Sequence, residues 1–142
     1  MLGSKLVIFD ADALVGLVND NDTLHARCLE IIEYLRVNGY GAIVPYPIVL
    51  EAATALAKDK QILRADLANI ILQKYAATEI PDDFVTEVGD LVAQIYNPKT
   101  SKKNSPFDHY VLALAKKNGI KYIFSFDDFY EKNGLKLFED II

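Results

Sequence analysis

Apolar residues in this chain come in blocks, and each block closes on a polar or turn-forming stop. Lys5 to Phe9 carries Leu6-Val7-Ile8-Phe9 without interruption, as a strand buried on both faces does, and ends at Asp10. Ala11 to Val18 is a short helix candidate, and Asn19-Asp20-Asn21-Asp22 reads as a turn. Leu24, Cys28, Ile31, Ile32 and Leu35 recur at helical spacing, predicting a helix from an N-cap at Thr23 to about Val37, stopped by Asn38-Gly39. Gly41 to Val44 is the next strand, and Pro47 suits the first turn of a helix running to about Ala57. The pattern then predicts a helix over Gln61 to Ala76, a strand at Thr78 to Ile80 and a helix over Asp82 to Tyr96. Asn97 to Ser105, rich in Lys, Asn and Ser, reads as a loop. A helix from Pro106 to Asn118, a stop at Gly119, a strand at Tyr122 to Phe124 and a last strand near Leu135 to Phe138 complete the chain.

Short buried strands alternating with helices predict an α/β protein: a three-layer α/β/α sandwich around a short, mainly parallel sheet. The 142 residues suit a single domain spanning 1–142. Right-handed crossovers align the C-terminal ends of parallel strands along one edge, where ligands bind in such folds. Asp10 and Asp127 both fall at strand C-termini.

Composition narrows the function classes. No apolar stretch approaches the ~18 residues of a membrane span, and Leu6 to Phe9 is too short for the apolar region of a secretory signal. The single cysteine, Cys28, excludes an internal disulfide; it fits a reducing cytoplasm and reads as a buried structural thiol. A net charge of −5 argues against a protein that coats nucleic acid, though not against a nuclease whose acidic centre is offset by cations.

Four acids stand where acids are least expected. Asp10 ends an apolar run; Glu51 interrupts Pro47-Ile48-Val49-Leu50-Glu51-Ala52-Ala53; Asp108 opens the helix after Ser105-Pro106; Asp127 closes Tyr122-Ile123-Phe124-Ser125-Phe126-Asp127. Three have local explanations. Asp10 suits an N-cap, with Asp12 sharing that role or assisting a metal; Asp108 sits at N3 of a capping box; Asp127-Asp128 suits a turn. Glu51 has none beyond a solvated edge, because its neighbours three and four positions away are Pro47, Ile48, Thr54 and Ala55. Unpaired buried charge is very costly. Two carboxylates ~5 Å apart repel by about 3 kcal/mol at an effective dielectric near 20, so four together reach on the order of 10 kcal/mol. A divalent cation is the natural partner, and oxygen-only ligands favour Mg²⁺ or Mn²⁺ over zinc.

The ordered set resembles the PIN domain, the ribonuclease fold of VapC-like toxins, across essentially the whole chain. Asp10-Ala11-Asp12-Ala13-Leu14 is similar to the family's D-x-[NSTD]-x-[LI] turn. Val49-Leu50-Glu51-Ala52-Ala53 matches its acidic helix, and Phe107-Asp108-His109-Tyr110 with Val111 to Ala115 its third acid. Ser125-Phe126-Asp127-Asp128-Phe129-Tyr130 matches its [TS]-x-D-x-x-F segment. Asp12 stands where many relatives carry Asn, Ser or Thr, and Pro45-Tyr46-Pro47 where relatives often carry Ser or Thr. The resemblance implies Mg²⁺- or Mn²⁺-dependent hydrolysis of RNA phosphodiester bonds. It makes Asp10 and Asp108 principal metal ligands, Glu51 a ligand or an orienter of the attacking water, and Asp127 a further ligand or its support. Ser125 and Asp128 would support the ligands. It also implies a cognate antitoxin, a homodimer and a cytoplasmic protein.

Lys99, Lys102 and Lys103, just upstream of Asp108, form either an RNA-backbone contact or a solvated loop. His109 reads as a packing or surface residue and His25 as a surface one. Two other readings compete. Phe9-Asp10-Ala11-Asp12 also resembles the D-x-D strand end of haloacid-dehalogenase-type phosphohydrolases, but Ala13 replaces the Gly that family prefers and Glu51 goes unexplained. A catalytically silent PIN-like module binding RNA or protein would have no use for the complete acid set.

Overall fold

The structure is a computed structural model, which describes residues 5–58, 62–76 and 80–138. Four parallel strands lie in the order β2-β1-β3-β4: β1 (Leu6–Phe9), β2 (Gly41–Ile43), β3 (Tyr122–Phe124) and β4 (Lys136–Leu137). The chain steps from β1 outward to β2, then crosses back past β1 to β3. The right-handed crossover rule therefore lays its helical connections over both faces. Val7, Ile8 and Phe9 are fully buried because β1 is central and covered on both faces. Each such side chain contributes about 1.5–3 kcal/mol relative to exposure. Phe9 registers against Phe124, and their rings meet edge to face at 4.9 Å.

The helices are α1 (Ala11–Val18), α2 (His25–Val37), α3 (Tyr46–Ala57), α4 (Ile62–Tyr75), α5 (Asp82–Val85), α6 (Val88–Ile95), α7 (Pro106–Asn118) and α8 (Phe129–Lys132). Three of them position the acids. α1 springs directly from the end of β1 and packs closely on α2 at Gly16, where an added Cβ would lie 2.5 Å from Cys28 Sγ. α3 enters through Pro45 and Pro47 and buries Ile48, Val49, Ala52 and Ala53. α7 begins at the N-cap Ser105, with Pro106 in its first turn, and ends at Gly119, whose φ of 64° is the left-handed C-cap conformation. Buried residues from Val111 to Ala115 make α7 a core helix, not a surface one. Among the described residues no helix is long and apolar enough to cross a membrane.

Most predicted elements appear, with several corrections. The expected helix over Asp82 to Tyr96 is two helices, broken at Thr86-Glu87. Thr86 folds both its N–H and its hydroxyl back onto the Asp82 carbonyl, at 3.1 and 2.9 Å, and Glu87 takes φ 67°. Lys117 Nζ reaches across from α7 to donate to the carbonyls of Asp83 and Thr86, so side-chain contacts replace the helical ladder there. α2 starts at His25 and not behind a Thr23 cap, because Asp22 accepts the N–H of Leu24 through its side chain and that of His25 through its carbonyl. His25 is half-buried, and its Nδ1 lies 2.6 Å from the Gly16 carbonyl, so the ring links α2 to α1. The expected strand at Thr78 to Ile80 falls mostly outside the described residues; Ile80 itself lies in no strand. Cys28 and His109 are buried, as packing residues are. Burial pushes the Cys28 thiol up to about 12, far from a reactive thiolate.

Candidate active site

The acids meet along the edge formed by the C-terminal ends of β1 and β3. The Asp10 N–H continues the sheet ladder by donating to the Phe124 carbonyl at 3.1 Å, so this residue is locked where β1 ends. Its Oδ1 accepts the Ala11 N–H at 2.8 Å, which is the N-cap of α1. Its Oδ2 accepts the Tyr130 hydroxyl at 2.7 Å and the Ser125 hydroxyl at 3.4 Å. Asp12, in the first turn of α1, is equally tied down: Oδ1 takes the Ala13 N–H at 2.8 Å, and Oδ2 takes Ser125 Oγ at 3.0 Å and the Phe126 N–H at 2.8 Å. Ser125, itself buried, joins the two carboxylates.

Asp108 and Asp127 form a second linked pair. Asp108 Oδ2 accepts the Ser105 N–H at 3.2 Å, one arm of the predicted capping box, and the Asn104 amide at 3.1 Å. The same Asn104 nitrogen donates to Asp127 Oδ2 at 2.9 Å. Asp127 Oδ1 takes the Phe129 N–H at 3.0 Å, the predicted turn. Both donors to Asp108 land on Oδ2, leaving Oδ1 without one among the described residues.

Glu51 has no such local support. It is half-buried on α3, and its Oε1 is fully buried with no hydrogen-bond partner. Burial first, and then the charges of Asp108 and Asp12, push its carboxyl up to about 7. Asp10 is raised to about 8, mainly by burial and then by Asp12 and, more weakly, Asp108; the Tyr130 and Ala11 donors oppose the rise. Asp12 is raised by burial and by Asp127, against its own donors. Asp10, Asp12 and Glu51 are therefore each raised in part by the charge of another acid at this edge. Among the described residues no three acid, histidine or cysteine groups stand close enough to hold a cation as they are. The donors are nonetheless oxygen-only, and two acceptor oxygens, Glu51 Oε1 and Asp108 Oδ1, are open. An oxygen-only donor set of this kind suits a hard divalent cation.

The remaining predicted residues separate clearly. Asp128 is exposed and pairs with Lys132 at 3.2 Å and Lys103 at 3.8 Å; these cations hold its carboxyl below the ordinary range. Of the three loop lysines, Lys103 reaches the acids: it lines an open cleft of about 430 Å³ with Asp12, Phe126, Asp127 and Asp128. Lys99 and Lys102 are exposed. Two residues were missed. Tyr130, fully buried, carries a visible signal, since it adds a hydroxyl at the last position of the [TS]-x-D-x-x-F pattern. Asn104 carries almost none, being one polar loop residue among many.

The sequence profile of the PIN domain family matches residues 7–134. The chain belongs to the PIN domain family. This membership displaces the haloacid-dehalogenase reading. The fold is similar to that of a solved structure, Mycobacterium tuberculosis VapC20, a toxin that cleaves the sarcin-ricin loop. The TM-score is 0.67 at 14% sequence identity, over 92% of this chain and 96% of that one. No curated protein matches the chain. At that identity the likeness establishes a VapC-like fold; the PIN chain's own side chains must carry the rest.

Proposed function

We propose that this PIN domain chain is a Mg²⁺- or Mn²⁺-dependent ribonuclease, the toxin of a toxin–antitoxin pair, with residues 1–142 working as one unit. The observation that carries this reading is Glu51: a buried carboxylate oxygen with no partner, beside two other acids, at an edge where Asp10, Asp12, Asp108 and Asp127 each accept from donors of the fold. Asp10 and Asp108 would hold the cation, with Glu51 and Asp127 completing the set and Asp12 adding charge. A bound Mg²⁺ or Mn²⁺ supplies a polarised phosphodiester and a more acidic water. Glu51, raised to about 7, has the basicity near neutrality that a general base for the attacking water requires. Ser125 and Tyr130 keep Asp10 oriented, and Lys103 offers a cation to the RNA backbone beside the acids.

The partners follow from the same reading. Leu50 and Phe107, each adjacent in sequence to a site acid, are exposed at 43% and 41%, and Tyr46 at 52%. Phe107 shares an apolar groove with Pro47, Val92, Pro106 and Tyr110. Apolar surface beside a catalytic edge suits cover by an antitoxin segment or a second copy. A cytoplasmic setting matches the single free thiol.

The test is cleavage of total RNA with Mg²⁺ or Mn²⁺ against chelator, using wild type and Glu51→Gln. We expect cation-dependent cleavage that drops at least ~10²-fold in Glu51→Gln, while that variant melts higher in chelator. Cleavage unaffected by Glu51→Gln would remove the carrying residue from the mechanism. A wild type that neither binds Mn²⁺ nor cleaves would be a silent binding module.

A further inference from the structure

The loop between α6 and α7 is pinned at its base. The Asn97 carbonyl accepts the N–H groups of Thr100 and Ser101, at 3.1 and 2.8 Å, and its side chain accepts that of Lys99 at 2.9 Å. At its other end the loop delivers Asn104 to the acids, where Nδ2 donates to Asp108 at 3.1 Å and to Asp127 at 2.9 Å. An amide nitrogen has two hydrogens and no net charge, so it can serve two carboxylates without neutralising either. A lysine in its place would cancel charge that a cation site needs. An aliphatic residue would leave two acids repelling with nothing between them. Both contacts fall on the Oδ2 atoms, so Asp108 Oδ1 stays open.

Resting on the ribonuclease reading, we propose that Asn104 is a positioning residue: its amide bridges Asp108 and Asp127 and sets their separation for a divalent cation. The bridge ties α7 to the segment after β3, two pieces of the site that no shared turn holds in register. The bland counterpart is a loop staple that merely steadies residues 97–105. Loop stapling acts on stability alike with and without metal, whereas carboxylate positioning acts on metal affinity.

The experiment is calorimetric titration of Mn²⁺ into wild type, Asn104→Ala, Asn104→Ser and Asn97→Ala, with melting curves in chelator and in saturating Mn²⁺. Loss of a residue that orients metal ligands weakens metal binding by ~10–100-fold, and Asn104→Ala should fall in that range. Asn104→Ser, which has one donor hydrogen, should fall between alanine and wild type, and it stands in if the alanine variant does not fold. Asn97→Ala loosens the loop without touching a carboxylate, so it should melt lower in both buffers yet bind Mn²⁺ as wild type does. Wild-type affinity in Asn104→Ala, or equal weakening in Asn97→Ala, would reduce Asn104 to a staple and overturn the proposal. A wild type that binds no Mn²⁺ and cleaves no RNA would overturn the ribonuclease reading, and this proposal with it; the first two outcomes leave that reading standing.

Discussion

Asp10 with Asp12 and Glu51 with Asp108 occupy the same sheet edge yet are built differently. The first pair is surrounded by donors from its own fold: two backbone N–H groups and a shared serine for Asp12, and a backbone N–H, the serine and a buried tyrosine for Asp10. The second pair keeps an open oxygen on each residue, one of them fully buried. Asp10 and Asp12 are fixed by donors of the fold, whereas Glu51 and Asp108 each keep an oxygen that no described residue serves. Buried polar groups nearly always find partners, so the exception is informative.

The largest effect separating the pairs is on stability against pH in metal-free buffer. Asp10 is raised from 3.8 to about 8 and Glu51 from 4.5 to about 7 when folded. The folded chain therefore retains protons that the unfolded chain has released, and stability falls as pH rises across that interval. The loss begins as the pH passes the ordinary carboxyl values of 3.8 and 4.5 and is complete above about 8. Asp10 accounts for on the order of 5 kcal/mol; Glu51, only half-buried, adds about 1–2 kcal/mol after solvent screening. Urea titrations in chelator from about pH 5 to pH 8.5 should show this decline. Asp10→Asn should flatten most of it and Glu51→Gln a smaller part. A wild-type profile that does not fall would mean that neither carboxyl is held out of its ordinary range.

The architecture was legible because its signals are dense. A run such as Leu6-Val7-Ile8-Phe9 has few alternatives, and Ser105-Pro106 with Gly119 brackets a helix at both ends. The break at Glu87 was invisible because tertiary contacts, the reach of Lys117 above all, decide it. Among the acids, each capping role read from Asp10 and Asp108 exists, and neither role excludes a place on the shared edge. Glu51 stood out through its apolar neighbours alone. The partners of the donors that organise the edge were hidden even where the residue itself stood out, as Tyr130 does, since Tyr130 and Asn104 meet carboxylates 120 and 23 residues away. No local pattern encodes such meetings.

A middle-sized effect tests whether those hidden donors matter. Tyr130 lends Asp10 a hydrogen bond at full burial, and removing a donor from a buried charged acceptor costs about 1–3 kcal/mol. Tyr130→Phe should therefore lose stability, and more at pH 8.5 than at pH 5, because the hydroxyl supports the ionised form. Equal losses at both values would show that the hydroxyl serves packing and not the carboxylate. No matching variant exists for Glu51, which has no donor to remove; that asymmetry is the contrast between the pairs.

The smallest effect lies at the rim, where Lys103 and Lys132 share Asp128. Lys132 is the nearer, at 3.2 Å against 3.8 Å, so Asp128 keeps a cation even when Lys103 turns away. With its side chain 78% exposed and the acidic cleft beside it, Lys103 can meet an RNA phosphate at little cost to the fold. Lys103→Ala should change folding stability by no more than ~0.5 kcal/mol. It should weaken RNA binding across sequences and lower the slope of log affinity against log salt by about one. Lys99→Ala and Lys102→Ala, outside the cleft, should move that slope less. Three equal changes would mean that the loop acts as a diffuse positive field, and that the edge lacks a dedicated phosphate contact on the side of its satisfied acids.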